Sequence, residues 1–370
     1  MKVSGFLKLY QQDGLIQTIA AAIKANEPAT VQLKGVTGSQ DAVIAAAIYQ
    51  LNRQNHLFVL HDKEEAAYFH NDLQSLLYPK EILFFPTSYK RPYEFDTTEN
   101  ANVLQRAEVL NRINHKAATG ELIVTYPEAL TEKVINKKTL QENTFSLQIG
   151  QQISLEAIVA MLAGFDFERQ DFVYEAGQYA VRGGIVDVFS YAHDLPYRLE
   201  LFGDEIDSIR TFDPNTQVSV AEVKRINLIP NVQTHLTDSQ RQSLLAFLPR
   251  NTKLWFKDWQ LTLDTLDQAF ARAAEQFDKL TNLTDAAVAL QPDELFENGA
   301  SFAKAAAPFC RIEFGQRFST DNTREFVLRT AAQPSFHKDF NLLVDNLQEN
   351  ARQGITNIIV AENPGQLDRL

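Results

Sequence analysis

The stretch that comes nearest to a chemical motif is VQLKGVTGSQDAV at residues 31–43. It runs from the end of a short apolar strand to the start of a helix. A phosphate-binding loop reads G-x-x-x-x-G-K-[S/T], where glycines let backbone N–H groups surround the phosphates, the lysine contacts the β- and γ-phosphates, and the hydroxyl binds Mg²⁺. Gly35 matches the first glycine and Gly38 lies inside the loop. The second glycine, the lysine and the hydroxyl are replaced by Gln40, Asp41 and Ala42.

The exchange of lysine for Asp41 reverses the charge at the position that would contact phosphate. An ion pair at ~4 Å is worth roughly 4 kcal/mol at an effective dielectric of ~20, so the exchange turns an attraction into a repulsion of similar size. The sequence therefore predicts no Mg-nucleotide binding, with Asp41 stabilising the start of the following helix instead. By spacing alone, an ordinary strand-to-helix turn that never bound nucleotide is an equally good interpretation.

The elements around this loop alternate regularly between short apolar strands and helices. This alternation predicts a parallel sheet with helices on both faces. The predicted strands are 29–33, 56–61, 81–85 and 121–125, and the predicted helices are 13–25, 41–53, 63–77 and 98–113.

From about residue 131 the pattern changes to one of antiparallel strands. After a helix at 150–164, two strands are predicted to join at 175–177, with a bulge at Gly183-Gly184 and a meander over 197–212. Strands at 253–257, 310–314 and 357–361 and helices at 261–280 and 339–353 follow, and we expect them to complete the first sheet. The predicted domains are 1–130, the first part of the α/β domain; 131–224, an inserted α+β module; and 225–370, the second part.

Three residues of the module have the side chains found at protein interfaces. Arg169 and Arg182 are planar cations and Phe189 is aromatic, and these types are enriched among residues that dominate binding energy. Internal salt bridges for the arginines and a core position for Phe189 are equally good interpretations.

A proline-flanked loop at 86–95 places two tyrosines beside two cations, a combination that can stack on single-stranded bases. The residues are Tyr89, Lys90, Arg91 and Tyr93. A packed loop with solvated charges is the favoured interpretation.

Composition narrows the possible functions of the 370 residues further. The net charge of −12 argues against a broad nucleic-acid surface, and the histidines lack metal-ligand spacing. The single cysteine, Cys310, fits a buried thiol in a reducing cytoplasm. Neither a signal peptide nor a membrane span is evident, so we expect a cytoplasmic, non-catalytic protein without a cofactor or metal that binds another macromolecule.

The strings YEAGQYAVRGGIVDVF at 174–189 and PYRLELFGDEIDSIRTFD at 196–213 are the most distinctive of the chain. They resemble the amino-terminal region of bacterial transcription-repair coupling factors, the Mfd family, which is itself similar to the excision-repair protein UvrB. Weaker matches lie at 86–94, 124–133 and 333–340.

This resemblance implies a degenerate P-loop NTPase-like sheet, similar to the first domain of UvrB, interrupted by a module that binds the excision-repair ATPase UvrA. The UvrA contact maps onto Arg182, with Arg169 and Phe189 nearby. In the full-length family, later domains bind RNA polymerase and translocate DNA with ATP, and the carboxyl-terminal domain contacts the module intramolecularly. The alternative is an ATP-dependent, UvrB-like domain for damage recognition or helicase activity, since UvrB keeps a working phosphate loop.

Overall fold

A computed structural model describes residues 2–24, 28–89, 93, 100–114, 120–142, 144–191, 195–229, 241–283, 290–320, 323–331, 333–337 and 339–359. The chain divides into two compact units, Met1–Arg329 and Thr330–Leu370.

The strands of the first unit are β1 (Ala29–Lys34), β2 (His56–Val59), β3 (Leu83–Phe85), β4 (Leu122–Thr125), β5 (Val134–Ile135), β6 (Phe145–Gln148), β7 (Glu168–Arg169), β8 (Gln178–Arg182), β9 (Ile185–Val188), β10 (Tyr197–Phe202), β11 (Glu205–Phe212), β12 (Ser219–Glu222), β13 (Arg225–Leu228), β14 (Arg241–Gln242), β15 (Lys253–Phe256), β16 (Cys310–Glu313) and β17 (Thr323–Val327). Its helices are α1 (Val3–Gln12), α2 (Gly14–Lys24), α3 (Gln40–Asn52), α4 (Lys63–Leu77), α5 (Asn100–Asn114), α6 (Pro127–Thr131), α7 (Lys137–Glu142), α8 (Leu155–Gly164), α9 (Leu244–Phe247), α10 (Trp259–Leu283), α11 (Pro292–Leu295) and α12 (Gly299–Ala306).

Seven strands form one parallel sheet in the order β17-β1-β16-β15-β2-β4-β3, flanked by helices. Strands β2, β4 and β15 are buried along their whole length, as expected where helices cover both faces of a parallel sheet. The predicted fold class is confirmed, and the sheet draws strands from both sides of the module.

The module is built on a six-stranded sheet in the order β12-β11-β10-β9-β8-β7, antiparallel except where β7 pairs with β8. Its inner face packs on α8 through a core that contains Ile158, Leu162, Val186 and Leu199. A short ladder of β6 with β13 contributes to this core, whereas the ladder of β5 with β14 packs in the core of the parallel-sheet domain through Val134 and Ile135.

Three local predictions for the module are wrong. The strand predicted to precede the turn at 175–177 and to pair antiparallel across it is not found, because residues 170–177 form no strand and β8 pairs in parallel with β7 instead. Gly183-Gly184 is the turn of the β8–β9 hairpin rather than a bulge, because Arg182 pairs directly with Ile185. Gly183 has a φ of +61°, which favours glycine at this turn. The helix predicted from residue 150 begins at Leu155, where the Ser154 hydroxyl accepts a hydrogen bond from the Ala157 N–H.

The second unit contains α13 (Phe340–Arg352), whose first turn is capped by the carboxylate of Asp339. The strand predicted at 357–361 is not found over Asn357–Ile359, where the Asn357 side chain bonds to the Leu347 carbonyl of α13. Residues 360–361 lie outside the described residues. No helix in the described part of the chain is both long and apolar enough to cross a membrane.

Candidate functional site

The phosphate loop whose motif is changed at Gln40, Asp41 and Ala42 connects β1 to α3 at the carboxyl edge of the parallel sheet. We call it the altered loop. Gly35 has a φ of +82°, and a Cβ atom there would lie 2.2 Å from the carbonyl oxygen of Leu328. The Leu328 N–H donates to the carbonyl of Lys34 at 2.8 Å, which holds the chain after β17 against the loop. Glycine is therefore required at position 35 for close packing as well as for the turn.

Asp41 lies in the first turn of α3 with only 8% of its surface exposed. Its Oδ1 accepts from the Ala42 N–H at 2.7 Å, and its Oδ2 accepts from Lys257 Nζ at 2.5 Å. An acidic group at a helix start is also favoured by the helix dipole. The carboxylate of Asp41 thus satisfies an N–H at the helix start and neutralises a lysine from β15's carboxyl end.

Two further groups connect to this ion pair. Glu65 Oε1 lies 3.6 Å from Lys257 Nζ, and Glu65 Oε2 accepts from His61 Nδ1 at 2.6 Å. The hydrogen bond to Glu65 raises the pKa of His61 above its usual value. A cavity of about 230 Å³ opens beside Asp41, Glu65 and Lys257. A phosphate there would face the carboxylates of Asp41, Glu65 and Asp72, which disfavours nucleotide binding.

The outer face of the module is the opposite surface of its six-stranded sheet from α8. Alternation along the strands places polar and aromatic side chains on it. They are Arg182, Asp187, Phe189, Arg198, Glu200, Phe202, Ser208, Arg210 and Phe212.

Asp187 is the centre of this face and is fully buried. Arg198 donates to it twice, from Nε at 2.7 Å and from Nη2 at 2.9 Å, and Arg182 Nη2 donates to its Oδ2. The hydrogen bond to Asp187 raises the pKa of Arg198, which keeps that guanidinium charged. One carboxylate therefore orients two arginines, and Arg182 retains 37% of its side chain exposed.

The segment 171–176 crosses part of the outer face. Val173 is fully buried and packs with Phe212, whereas Phe172 and Tyr174 on either side are 47% and 55% exposed. The Arg182 guanidinium lies 5.0 Å from the centre of the Phe172 ring. Sequence reasoning missed these two aromatic residues, although the alternation Phe-Val-Tyr was a signal for them.

Comparison with known proteins finds a family match for the central part of this chain. Residues 145–233 match the UvrB interaction domain. The match contains the whole six-stranded sheet with α8, and it confirms the resemblance stated from the sequence.

Full-length relatives support the same assignment. The chain is 28% identical to a transcription-repair-coupling factor of Bacillus subtilis over 199 residues, which cover 54% of this chain and 17% of that protein. It is 29% identical to the Myxococcus xanthus protein of that name, over 57% of this chain and 18% of the relative. It is 26% identical to UvrABC system protein B of Thermosipho africanus, over 57% of this chain and 33% of the relative. The similarity to each relative thus covers a third or less of that protein's length.

Within the matched residues 145–233, the three predicted contact residues differ in accessibility. Arg169, at the end of β7, is exposed, and Arg182 is partly exposed but paired with Asp187. Phe189 is 7% exposed and packs with Val173 and Phe212, so its ring has the core position that the sequence left open.

The loop at 86–95 does not present its tyrosines for base stacking. Tyr89 and Tyr93 pack edge-on against Phe296, and the Tyr93 hydroxyl donates to the Leu290 carbonyl at 2.9 Å. The favoured interpretation, a packed loop, agrees with these contacts, while Lys90 and Arg91 lie outside the described residues.

Metal and thiol chemistry receive no support from the part of the chain that the structure describes. No group of three metal-ligating side chains occurs among those residues. Cys310 is a buried free cysteine at the start of β16, and burial raises the pKa of its thiol.

Proposed function

We propose that this chain is a non-catalytic adaptor that binds UvrA and so directs nucleotide excision repair to RNA polymerase stalled at damaged DNA. The observation that carries the proposal is the match of residues 145–233 to the UvrB interaction domain. The similarity to transcription-repair-coupling factors supports the coupling role. RNA polymerase and DNA are contacted by other domains of the full-length, cytoplasmic protein, an ATP-dependent translocase whose carboxyl-terminal domain masks the module.

The UvrA contact is centred on Arg182 with Arg169 beside it. Arg182 is oriented by a buried carboxylate yet exposes part of its guanidinium, which has more donors than one carboxylate uses. A fixed cation of this kind suits recognition of a carboxylate on a partner. Phe189 contributes indirectly by supporting the core beneath this face.

The groups at the altered loop support the proposal that this chain carries out no ATP chemistry. Asp41 and Lys257 neutralise each other, and Ala42 supplies no hydroxyl for Mg²⁺. Purified chain titrated with Mg-ATP in a calorimeter should give no binding heat up to millimolar nucleotide. Micromolar binding would instead support a UvrB-like ATP-dependent domain, the alternative that the similarity to UvrABC system protein B favours.

Binding of purified UvrA to the immobilised chain tests the adaptor role. Arg182→Glu should abolish binding because it sets a carboxylate against the acidic group that Arg182 recognises. The matched control is Arg324→Glu, an exposed arginine on β17 of the parallel sheet, which should bind as the wild type does. Unchanged binding by Arg182→Glu would move the interface away from this face.

A further inference from the structure

Two half-exposed aromatic rings stand side by side next to Arg182. Phe172 and Tyr174 have ring centres 6.5 Å apart, and both belong to the segment that crosses the module's outer face. Because extended segments alternate in direction, the buried Val173 between them turns both rings outward.

The segment that carries these rings is fixed at several points. The Gln178 side-chain oxygen accepts from the N–H groups of Tyr174 and Glu175 at 2.9 and 3.1 Å. Arg182 Nη1 donates to the Asp171 carbonyl at 3.3 Å. The backbone that carries the rings is thus held in place before any partner arrives, which lowers the entropy lost on binding.

The guanidinium of Arg182 lies beside the Phe172 ring, while Asp171 and Glu175 of the same segment are exposed carboxylates. Asp187 offsets only one of the two arginines that bond to it, Arg182 and Arg198. Arg182 is thus the cation beside the rings that a carboxylate of a partner can meet.

We propose that Phe172 and Tyr174 are the apolar anchors of the UvrA-binding face, and that they insert into an apolar depression of UvrA beside which one carboxylate meets Arg182. This inference rests on the proposed function and names the chemistry of its contact. Aromatic residues beside a paired arginine are the combination that dominates interface energies. Arg182 supplies the charged contact, and the two rings supply the buried apolar area.

The experiment measures the Kd of UvrA for full-length variants of this chain by calorimetry. Phe172→Ala and Tyr174→Ala should each weaken binding by at least about 30-fold, the effect of losing a dominant interface residue. Tyr68→Ala is the control, since Tyr68 is 68% exposed on α4 of the parallel-sheet domain; it should change Kd by less than about twofold. Urea unfolding of each variant confirms that it is folded.

Two further measurements separate direct contact from an effect through Arg182. Phe172→Leu keeps apolar area but removes the aromatic face under the guanidinium, so it should weaken binding less than Phe172→Ala does. Binding should weaken with added salt in the wild type and the aromatic variants alike, whereas Arg182→Gln, which removes the charge without reversing it, should bind more weakly and with a smaller salt dependence.

The outcomes distinguish the two proposals. If UvrA fails to bind the wild type, the proposed function is overturned. If UvrA binds the wild type and Arg182→Glu abolishes binding, but Phe172→Ala and Tyr174→Ala bind as Tyr68→Ala does, the anchor assignment alone is overturned.

Discussion

The altered loop and the module's outer face each contain a buried aspartate held by cations, but they use different cations. Asp41 meets the ammonium of Lys257, which is only 18% exposed and has Glu65 as a second acidic neighbour. Asp187 meets two guanidinium groups, of which Arg182 remains 37% exposed. The first arrangement encloses its charges, and the second presents one of them to solvent.

This difference shows how similar ion pairs can serve stability in one place and recognition in another. A lysine has a compact charge that one or two carboxylates neutralise, whereas an arginine has five donors in a planar fork. A buried carboxylate can therefore orient an arginine without occupying all of its donors. We expect the loop to respond to mutation mainly in stability, and the outer face in both stability and binding.

The largest effect should follow removal of Asp187, which would leave two arginines without their shared acceptor. Asp187→Ala should lower the free energy of unfolding by about 3–5 kcal/mol, the usual cost of breaking a buried ion pair. Urea denaturation measures this, with Asp204→Ala at the exposed β10–β11 turn as a control expected to stay within about 0.5 kcal/mol. A loss as small as that of the control would show that the two arginines do not depend on Asp187.

The next effect should come from restoring a lysine in the altered loop. Asp41→Lys would set a second cation against Lys257 and should cost about 2–3 kcal/mol of unfolding free energy. The swap Asp41→Lys/Lys257→Asp should recover most of that loss, and the four variants form a double-mutant cycle. Additive effects in the cycle would mean that Asp41 and Lys257 do not interact.

Glu297 is a third buried carboxylate to compare with Asp41 and Asp187. A hydrogen bond from Ser243 and attraction to Lys133 favour its charged form. Burial raises the pKa of Glu297 from 4.5 to about 7. The folded state favours the protonated acid. The contribution of Glu297 to the free energy of unfolding is therefore fully present below pH 4.5 and is lost as the pH rises through 7. Stability should fall by about 2 kcal/mol between pH ~5 and ~8, and urea unfolding of Glu297→Gln should lack this component.

The smallest effect concerns His61, whose side chain is 39% exposed. Because its pKa is raised in the folded state, the stabilisation that protonated His61 gives the fold is present below about pH 6.5. It is lost as the pH rises through the folded-state pKa. Solvent screening limits it to under about 0.5 kcal/mol. An NMR titration should find the pKa of His61 above 6.5 in the wild type and lower in Glu65→Gln; equal values would exclude Glu65 as the cause.

Much of the fold was predictable because its elements have strong local signals. The helix predicted at 63–77 matches α4, since Asp62 caps its first turn and apolar residues recur at helical spacing. The strand predicted at 357–361 was misjudged because an apolar run of this length does not distinguish a strand from a segment bonded to a helix. The Gly183-Gly184 turn was misplaced because a glycine pair suits both a bulge and a hairpin.

The sequence by itself determined that the loop lacks the lysine and hydroxyl of a phosphate site, because Asp41 and Ala42 cannot supply those groups in any fold. Only the tertiary structure decided which cation Asp41 meets, since Lys257 is 216 residues away in the chain. It also decided that Phe189 is buried while Phe172 is half-exposed. Burial depends on which strands become neighbours, and that pairing is set by the packing of the whole sheet rather than by local residue type.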